Sequence, residues 1–328
     1  MKPKIIAYNC LLRENITILL KDFHVHFFEQ GDDHSNPAFT SILSEAVGII
    51  GAGLKVNKEL LDRCPQLKIV SNISVGYDNL SIPDLSTKGI LATNTPDVLT
   101  DTVADAIFGL LLATARRIPE LHNFVGKGHW TTDIGRDKFG VDVHHKILGI
   151  IGMGKIGEAI AKRAHFGFDM KILYHNRSPN QEAEDRYPAI YCSLEELLKR
   201  SDFVCLMVPA TSNTKNMMGE KEFNLMKKTA IFINGSRGQN VDESALLNAL
   251  QNKTILAAGL DVLSNEPPGS SNPLIGVENA CILPHIGSAT YETESKMAEL
   301  AAENLLAGLF GRKPKNLINH EVWNELVI

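Results

Sequence analysis

The sequence predicts an α/β protein of two domains, each built on a parallel β-sheet. Short apolar runs of strand length alternate with stretches of helical pattern, which is typical of βαβ units whose strands are buried on both faces. The runs form two series, separated by one long apolar segment that has helical character. The length of 328 residues is also that of about two domains.

The first series of predicted strands lies before residue 100, in KIIAYN, HVHFF, VGIIG, LKIVSNI and ILATN. The second series begins at Lys146, with KILGIIG, MKILYHN, DFVCLMVP, AIFINGS, ILAAGLDV and ACILPHI. Helix-compatible segments such as LEELLKRS and ESALLNALQN lie between most members of the second series. Its six strands are enough for a complete dinucleotide-binding sheet.

Two further helices define the domain boundaries. TDTVADAIFGLLLATARRIPE is apolar around nearly its whole circumference, so we expect it to be buried between domains or against another subunit, with Asp101 or Thr102 as its N-cap. The last helix is predicted over about Thr290 to Phe310, ended by Gly311 and Pro314, and should return to the first domain. The predicted domains are therefore residues 1–100 plus 290–328, and residues 101–289.

The composition excludes several classes of protein. A formal net charge of -5 without a basic run argues against a nucleic-acid partner. The longest apolar run, AIFGLLLATA, is half of the roughly 20 residues that span a bilayer, so no membrane partner is expected. The N-terminus has no export-signal pattern. Five cysteines without CxxC spacing, most of them in or beside apolar strand-like segments, favour a reduced, cytoplasmic location.

A glycine loop follows the first strand of the second series. Gly152, Gly154 and Gly157 form GxGxxG before a helix-compatible segment, the arrangement in which glycines admit a pyrophosphate to a helix N-terminus. A P-loop starting at Gly149 nearly matches as well. We reject it because Ile156 stands where that motif needs the Ser or Thr that binds magnesium.

The next strand predicts which cofactor is bound. A chain that binds NAD usually carries Asp or Glu there to hold the ribose 2′-hydroxyl, but this chain has His175, Asn176, Arg177 and Ser178. Arg177 can pair with a 2′-phosphate, and Asn176 and Ser178 can hydrogen-bond to it. The commoner fate of an arginine on a loop is simple solvation. The position after the second strand favours the phosphate, so we predict NADPH as the preferred cofactor, with NADH also usable.

Three polar residues follow later strands of the same series: Arg237, Glu266 and His285, with Asp261 at the end of the fifth strand. Ligands of open α/β sheets bind at the carboxyl ends of strands, so these side chains can converge. Histidine can protonate the alkoxide that hydride transfer leaves, a carboxylate beside it favours the imidazolium, and arginine can hold a substrate carboxylate. Taken singly, each residue is better explained as a turn, loop or core residue.

Together these stretches resemble the D-isomer-specific 2-hydroxyacid dehydrogenase family. GIIGMGKIG is similar to its cofactor loop, INGSRG to its arginine motif, GLDVLSNEP to its glutamate motif and LPHIGSAT to its histidine motif. The resemblance covers nearly the whole chain. It implies two Rossmann-like domains: an inserted, doubly wound parallel-sheet NADP-binding domain and a flavodoxin-like substrate domain.

The resemblance also implies roles for individual residues. His285 would be the acid/base, Glu266 its partner and Arg237 the substrate anchor. The SVGYDNLSI segment is similar to the family loop whose backbone N–H groups, here those of Val75 and Gly76, hold the substrate carboxylate. The cofactor-binding residues would be Gly152, Gly154, Lys155, Ile156, Gly157, Asn176, Arg177, Ser178, Pro209, Thr214, Asn234, Asp261 and Gly287, with Asp261 near the nicotinamide carboxamide.

Within the family, segments such as ISVGYDN, RAHFGFDMKILYHNR and SDFVCLMVP most resemble the bacterial glyoxylate/hydroxypyruvate reductase B group, also called 2-ketogluconate reductases. That resemblance implies NADPH-dependent reduction of glyoxylate, hydroxypyruvate and 2-keto-D-gluconate to D-2-hydroxy acids. It also implies a homodimer, whose interface we expect on the helix from Thr102 to Arg117.

Two other functions stay open at this point. The chain could reduce a different 2-keto acid, because the residues that set pocket size are not all identifiable from the sequence. It could also be a nicotinamide-sensing scaffold that keeps the same motifs without significant turnover. A metal hydrolase is disfavoured, because His24 with His26, and His144 with His145, lack HExxH spacing.

Overall fold

The computed structural model describes residues 2–326, apart from the side chains of residues 34, 325 and 326. The described chain divides into two compact units, with boundaries after Leu99 and after Ser288. Each boundary lies one residue before the one expected from the sequence. Residues 1, 327 and 328 of the expected first domain lie outside the description.

The strands are β1 (Lys4–Tyr8), β2 (His24–Phe28), β3 (Ala46–Gly51), β4 (Ile69–Asn72), β5 (Leu91–Thr93), β6 (Ile147–Ile151), β7 (Lys171–His175), β8 (Ile190–Tyr191), β9 (Phe203–Leu206), β10 (Ile231–Asn234), β11 (Ala257–Leu260) and β12 (Ala280–Ile282).

The α-helices are α1 (Asp32–Ser35), α2 (Pro37–Ile42), α3 (Lys58–Asp62), α4 (Ile82–Thr87), α5 (Thr100–Ala115), α6 (Ile118–Gly126), α7 (Lys155–Phe168), α8 (Gln181–Arg186), α9 (Leu194–Arg200), α10 (Glu220–Leu225), α11 (Glu243–Gln251), α12 (Tyr291–Leu309) and α13 (His320–Leu326). Short 3-10 helices are formed by Arg13–Lys21, Leu43–Glu45, Arg136–Lys138 and Gly238–Asn240.

The discontinuous unit contains a five-stranded parallel sheet in the order β2-β1-β3-β4-β5. All five strands match the runs that the sequence analysis assigned to strands, with β3 starting one residue earlier, at Ala46. Helix α12 covers this sheet: Leu305 lies over Gly48 of β3, and the hydroxyl of Ser71 in β4 donates to the Ala301 carbonyl at 2.8 Å. As expected, α12 returns to the first unit, and the side chain of Thr290 caps its N-terminus.

The inserted unit contains a seven-stranded parallel sheet in the order β12-β11-β10-β9-β6-β7-β8. Six of the strands were expected from the sequence. The seventh, β8, was missed because it has only two residues, both of which are exposed. Helices α9, α10 and α11 bury Leu197, Phe223 and Leu246 in one apolar core with Phe232 and other strand residues.

Helix α5 differs from its expected description in two ways. It begins at Thr100, so Asp101 and Thr102 lie in its first turn and neither is the N-cap. Asp101 instead pairs with Arg163 of α7 at 3.2 Å. The apolar side chains of α5 are buried within the inserted unit, because the helix packs against α7 and against strands β10 and β11. Its buried face is therefore not available for the subunit interface that we expected there.

Candidate active site

The glycine loop between β6 and α7 is shaped for a close-lying anion. Gly152 has φ +102, and a Cβ there would lie 2.8 Å from the Met207 carbonyl, so only glycine fits. A Cβ on Gly157 would lie 2.3 Å from the Gly152 oxygen. At Gly154, in contrast, a Cβ would meet no described atom within 4 Å, and this residue, the N-cap of α7, makes no side-chain capping bond. These features fit a dinucleotide pyrophosphate, next to Lys155 and Ile156 in the first turn.

The turn after β7 lies directly beside this loop, because His175 pairs with Ile151 and its carbonyl accepts from the Gly152 N–H at 3.0 Å. Arg177 and Ser178 are exposed, and Arg177 has no hydrogen bond or ion pair with any residue that the structure describes. Asn176 is engaged: its Oδ1 accepts from the Met153 N–H at 2.7 Å. The geometry therefore leaves Arg177 and Ser178 available for a ligand, and gives Asn176 a structural role that the sequence analysis did not foresee.

The loop after β9 contains Pro209 and Thr214. The Thr214 hydroxyl donates to the Pro209 carbonyl at 2.7 Å and accepts from the Thr211 N–H at 2.8 Å, which closes a small turn at the carboxyl end of the strand. Strand β9 is the other neighbour of β6, so this turn and the Arg177 turn flank the glycine loop on opposite sides. Both loops thus lie at the edge where ligands of such sheets bind.

Arg237 is held in a tight turn after β10. The buried Asn234 amide donates to the Arg237 carbonyl at 3.1 Å and accepts from the Ser236 N–H at 3.0 Å. The next residue, Gly238, leaves no space for a side chain, because a Cβ would lie 1.9 Å from the Leu263 carbonyl carbon. The Arg237 turn is therefore pressed against the loop that carries Glu266.

Glu266 and His285 form a direct pair. The Nδ1 atom of His285 lies 2.6 Å from Glu266 Oε2, while Glu266 Oε1 accepts from the Leu263 N–H at 2.8 Å. The Glu266 hydrogen bond and charge raise the pKa of His285, against the effect of its partial burial. Burial raises the pKa of Glu266, but His285 and the Leu263 N–H outweigh it, and that pKa is lowered. The pair therefore favours the imidazolium form of His285, and the carboxylate contacts Nδ1 rather than Nε2.

Arg237 belongs to the same constellation. Its positive charge lowers the pKa of both Glu266 and His285. The residues Arg237, Glu266 and His285 follow strands β10, β11 and β12, which are neighbours in the sheet. The three residues that the sequence analysis selected therefore lie at one edge of the inserted unit.

Asp261 holds the backbone of the turn that carries His285. Its two carboxylate oxygens accept from the N–H groups of Ile286 and Gly287 at 2.8 and 2.9 Å, and its own carbonyl accepts from the His285 N–H at 2.9 Å. Burial raises the pKa of this carboxyl group. His285 itself has φ +54, a conformation that side chains rarely adopt and that these three bonds stabilise. Asp261 thus fixes the position of the predicted acid.

In the discontinuous unit, the loop after β4 presents free N–H groups. Three successive carbonyl groups of this loop are used: that of Ser74 accepts from the Thr95 N–H at 3.0 Å, that of Val75 from Asn94 Nδ2 at 2.8 Å and that of Gly76 from Asn72 Nδ2 at 2.8 Å. No described residue accepts from the N–H groups of Val75 or Gly76. Two adjacent unused donors are a suitable receptor for a carboxylate.

Sequence reasoning missed the asparagines that hold these loops. Asn72 and Asn94 lie at or just after strand ends, Asn180 caps α8, and Asn240 ends a 3-10 helix; all four bond to loop backbone. Asparagine at the carboxyl end of a predicted strand is the signal that could have identified the first two. Its partners could not be read from the sequence, because they lie on other segments.

Other chemistries find little support in the residues described. Among them, no group of three or more His, Cys, Asp or Glu side chains is placed to hold a metal ion. His24 and His26 stack on each other at 4.6 Å on β2, and all five cysteines are free thiols. Within 2–326, no helix combines the length and the apolar character needed to cross a membrane.

Comparison with known proteins identifies the family. Residues 108–287 match the D-isomer specific 2-hydroxyacid dehydrogenase, NAD binding domain. The chain is 47% identical over 322 residues to the glyoxylate/hydroxypyruvate reductase B of Escherichia coli K12, covering 98% of this chain and 99% of that one. The chain belongs to the D-isomer specific 2-hydroxyacid dehydrogenase family.

Solved structures agree with this assignment. A protein from Thermus thermophilus superposes with a TM-score of 0.89 at 37% identity, covering 96% of this chain and 99% of that one. The NADPH-dependent glyoxylate/hydroxypyruvate reductase of Sinorhizobium meliloti, solved with NADP and malonate, gives 0.85 at 32% identity, covering 97% of each chain. The 2-hydroxyacid dehydrogenase fold expected from the sequence, with two parallel-sheet α/β domains, is confirmed. The family's NAD binding domain lies wholly within the inserted unit.

Proposed function

We propose that the protein reduces small 2-keto acids, namely glyoxylate, hydroxypyruvate and 2-keto-D-gluconate, to D-2-hydroxy acids with NADPH. The observation that carries this proposal is the 2.6 Å His285–Glu266 pair, with the charge of Arg237 beside it and the uncapped glycine loop on the same sheet. The names of the E. coli and S. meliloti relatives support the first two substrates. The third comes from the resemblance alone.

Each residue of the constellation has a defined task in this reaction. When bound, the reduced nicotinamide supplies the hydride that reduces the ketone. The imidazolium of His285 donates its Nε2 proton to the carbonyl oxygen, and Glu266 keeps the ring charged and oriented. Arg237 binds the substrate carboxylate and polarises the ketone oxygen. The N–H groups of Val75 and Gly76 are assigned to the substrate carboxylate as well.

The NADPH preference is supported by the turn after β7. No carboxylate stands at residues 176–178, and Arg177 and Ser178 are exposed beside the glycine loop. A guanidinium that pairs with none of the described residues can pair with a 2′-phosphate, while the turn has no acidic residue to bind a ribose 2′-hydroxyl. Reduction is then the favoured direction.

The proposal is tested by steady-state reduction of the three keto acids with NADPH and NADH side by side. We expect NADPH to be favoured at least about tenfold in kcat/KM, roughly 1.4 kcal/mol of discrimination. His285→Ala should abolish turnover while NADPH binding persists. His144→Ala, at an exposed histidine, should leave both turnover and NADPH binding unchanged. If the protein turned over only another 2-keto acid, that acid would replace the three substrates proposed here. A complete absence of turnover would favour a nicotinamide-sensing scaffold.

We further propose a cytoplasmic homodimer. After α5, a segment of the inserted unit exposes the apolar side chains of Ile118, Val125, Trp130, Ile134 and Phe139. Apolar side chains clustered in one exposed segment are typical of an interaction site. Light scattering of the purified protein should give twice the chain mass of 36.0 kDa, and Val125→Asp should shift it towards the monomer. A monomeric wild-type protein would contradict the proposal.

A further inference from the structure

The turn from Asn176 to Asn180 is anchored at both ends to the same residue. At the first end, Asn176 Oδ1 accepts from the Met153 N–H at 2.7 Å, and Asn176 Nδ2 donates to the Met153 carbonyl at 3.3 Å. At the far end, Asn180 Nδ2 donates to the same carbonyl at 3.0 Å. Met153 lies inside the glycine loop, so the two loops are joined twice.

Two tyrosine hydroxyls fix the backbone of the same turn. Tyr191 donates to the Asn176 carbonyl at 3.1 Å, and the hydroxyl of the fully buried Tyr174 accepts from the Asn180 N–H at 2.7 Å. Burial raises the pKa of Tyr174 to about 12, so its hydroxyl stays neutral at physiological pH. Between these anchors, the side chains of Arg177, Ser178 and Pro179 are exposed.

Asn180 also contacts a carboxylate of the helix that follows the glycine loop. Its Nδ2 lies 2.7 Å from Glu158 Oε1, in the first turn of α7. Glu158 lies on the helix that starts at the glycine loop. Asn180 therefore joins the far end of the turn both to Met153 of the glycine loop and to this helix.

We infer that Asn180 is a positioning residue for the 2′-phosphate of NADPH, which holds the Arg177–Ser178 turn in its binding conformation and so determines the preference for NADPH over NADH. The inference rests on the proposed function. A loop that is already ordered loses less conformational entropy when it binds its ligand, so affinity depends on this anchoring. Loss of Asn180 leaves Asn176 on Met153, so the glycine loop should remain in place while the far end of the turn is released.

The decisive variant is Asn180→Ser. In the structure, Asn180 Oδ1 caps α8 by accepting from the Ala183 N–H at 3.1 Å, a role that serine can also fill. Serine is too short to reach both Met153 and Glu158. Asn57→Ser is the matched control, since Asn57 caps α3 in the other unit by the same kind of bond. Asn180→Asp is a second variant, which keeps the shape and the cap but cannot donate.

Binding is measured by calorimetry with adenosine 2′,5′-bisphosphate and with ADP, and by fluorescence with NADPH and NADH. We expect Asn180→Ser to lower the affinity for NADPH and for the 2′,5′-bisphosphate about fivefold or more. The affinity for NADH and for ADP should fall less than about twofold. Asn180→Asp should weaken the first two ligands at least as much. Asn57→Ser should leave all four affinities unchanged.

Two results would overturn the inference while leaving the proposed function intact. The first is a folded Asn180 variant with unchanged NADPH affinity. The second is a variant whose affinities for NADPH and NADH fall equally, which would mean that Asn180 serves only the glycine loop. A wild-type protein that binds the 2′,5′-bisphosphate no better than ADP would overturn the NADPH assignment itself, and this role with it. Thermal melting of each variant establishes that it is folded.

Discussion

At the scale of single residues, the proposed chemistry depends on one charged pair. Glu266 raises the pKa of His285 above its ordinary value of 6.5, while the positive charge of Arg237 acts to lower it. Because reduction needs the protonated ring, activity should be high below the raised pKa and should fall as pH rises through it. The position of that fall therefore reports the strength of the carboxylate–imidazole interaction.

Glu266→Gln removes the carboxylate charge but keeps a group of the same shape. We expect the pKa of His285 to drop, so that the fall in kcat/KM for keto-acid reduction moves to lower pH by roughly one unit or more. At pH 8 the variant should lose about tenfold to a hundredfold in kcat/KM. Glu220→Gln, at an exposed glutamate of α10, should reproduce the wild-type profile.

A pH–rate profile of both variants checks this expectation. If Glu266→Gln lowered the rate equally at every pH, Glu266 would act only by holding the ring in place. A shift to higher pH would contradict the assignment of His285 as the proton donor.

At the scale of elements, the site depends on loops that touch each other at carboxyl strand ends. The Arg237 turn after β10 and the Glu266 loop after β11 meet where Gly238 lies against Leu263. Adjacent parallel strands bring these loops side by side, and the missing side chain allows the final approach. The contact between Gly238 and Leu263 thus sets how closely the Arg237 turn approaches the loop that carries Glu266.

Gly238→Ala should force the two loops apart, since its Cβ would overlap Leu263 and Ser264 backbone atoms at about 2 Å. We expect a free energy of unfolding lower by about 1–3 kcal/mol and a larger loss in kcat/KM than in NADPH affinity. Gly219→Ala is the control, because its Cβ would meet Glu222 at an ordinary 3.5 Å. Denaturant unfolding and kinetics of both variants measure the difference. A Gly238→Ala protein with normal kcat/KM would show that the contact does not position Arg237.

At the scale of the whole molecule, the two units differ in how they can fold. The inserted unit contains its complete sheet and its own apolar core within Thr100–Ser288. The other unit needs both ends of the chain, because α12 covers β3 and β4, which the N-terminal segment supplies. Burial by a segment that is distant in sequence makes the N-terminal piece incomplete by itself.

Residues 100–288, expressed alone, should therefore unfold cooperatively and bind adenosine 2′,5′-bisphosphate as the full chain does. They should not reduce keto acids, because Val75 and Gly76 are missing. Residues 1–99 alone should lack a cooperative transition. Circular dichroism melting and calorimetry test the three expectations. An unfolded 100–288 fragment would mean that the units depend on each other for stability.

The sequence by itself determined the family, the ends of α12 and the strands of both sheets, with the exception of β8. These features depend on local patterns: apolar runs that must be buried, glycines where a backbone must approach closely, and a Thr290 cap with Gly311 beyond the helix. The selection of Arg237, Glu266 and His285 was also local, because each follows a strand and all parallel strands end at one edge.

Only the tertiary structure decided how side chains are used. Asn176 was expected to contact the cofactor, yet its amide holds Met153, 23 residues away in sequence. Asn180 was not singled out, and its bonds cross to Met153 and Glu158. The start of α5 and the burial of its apolar surface likewise depend on α7 and the sheet. A hydrogen bond between distant segments depends on where the folded backbone places both partners, and no local pattern of residues encodes that placement.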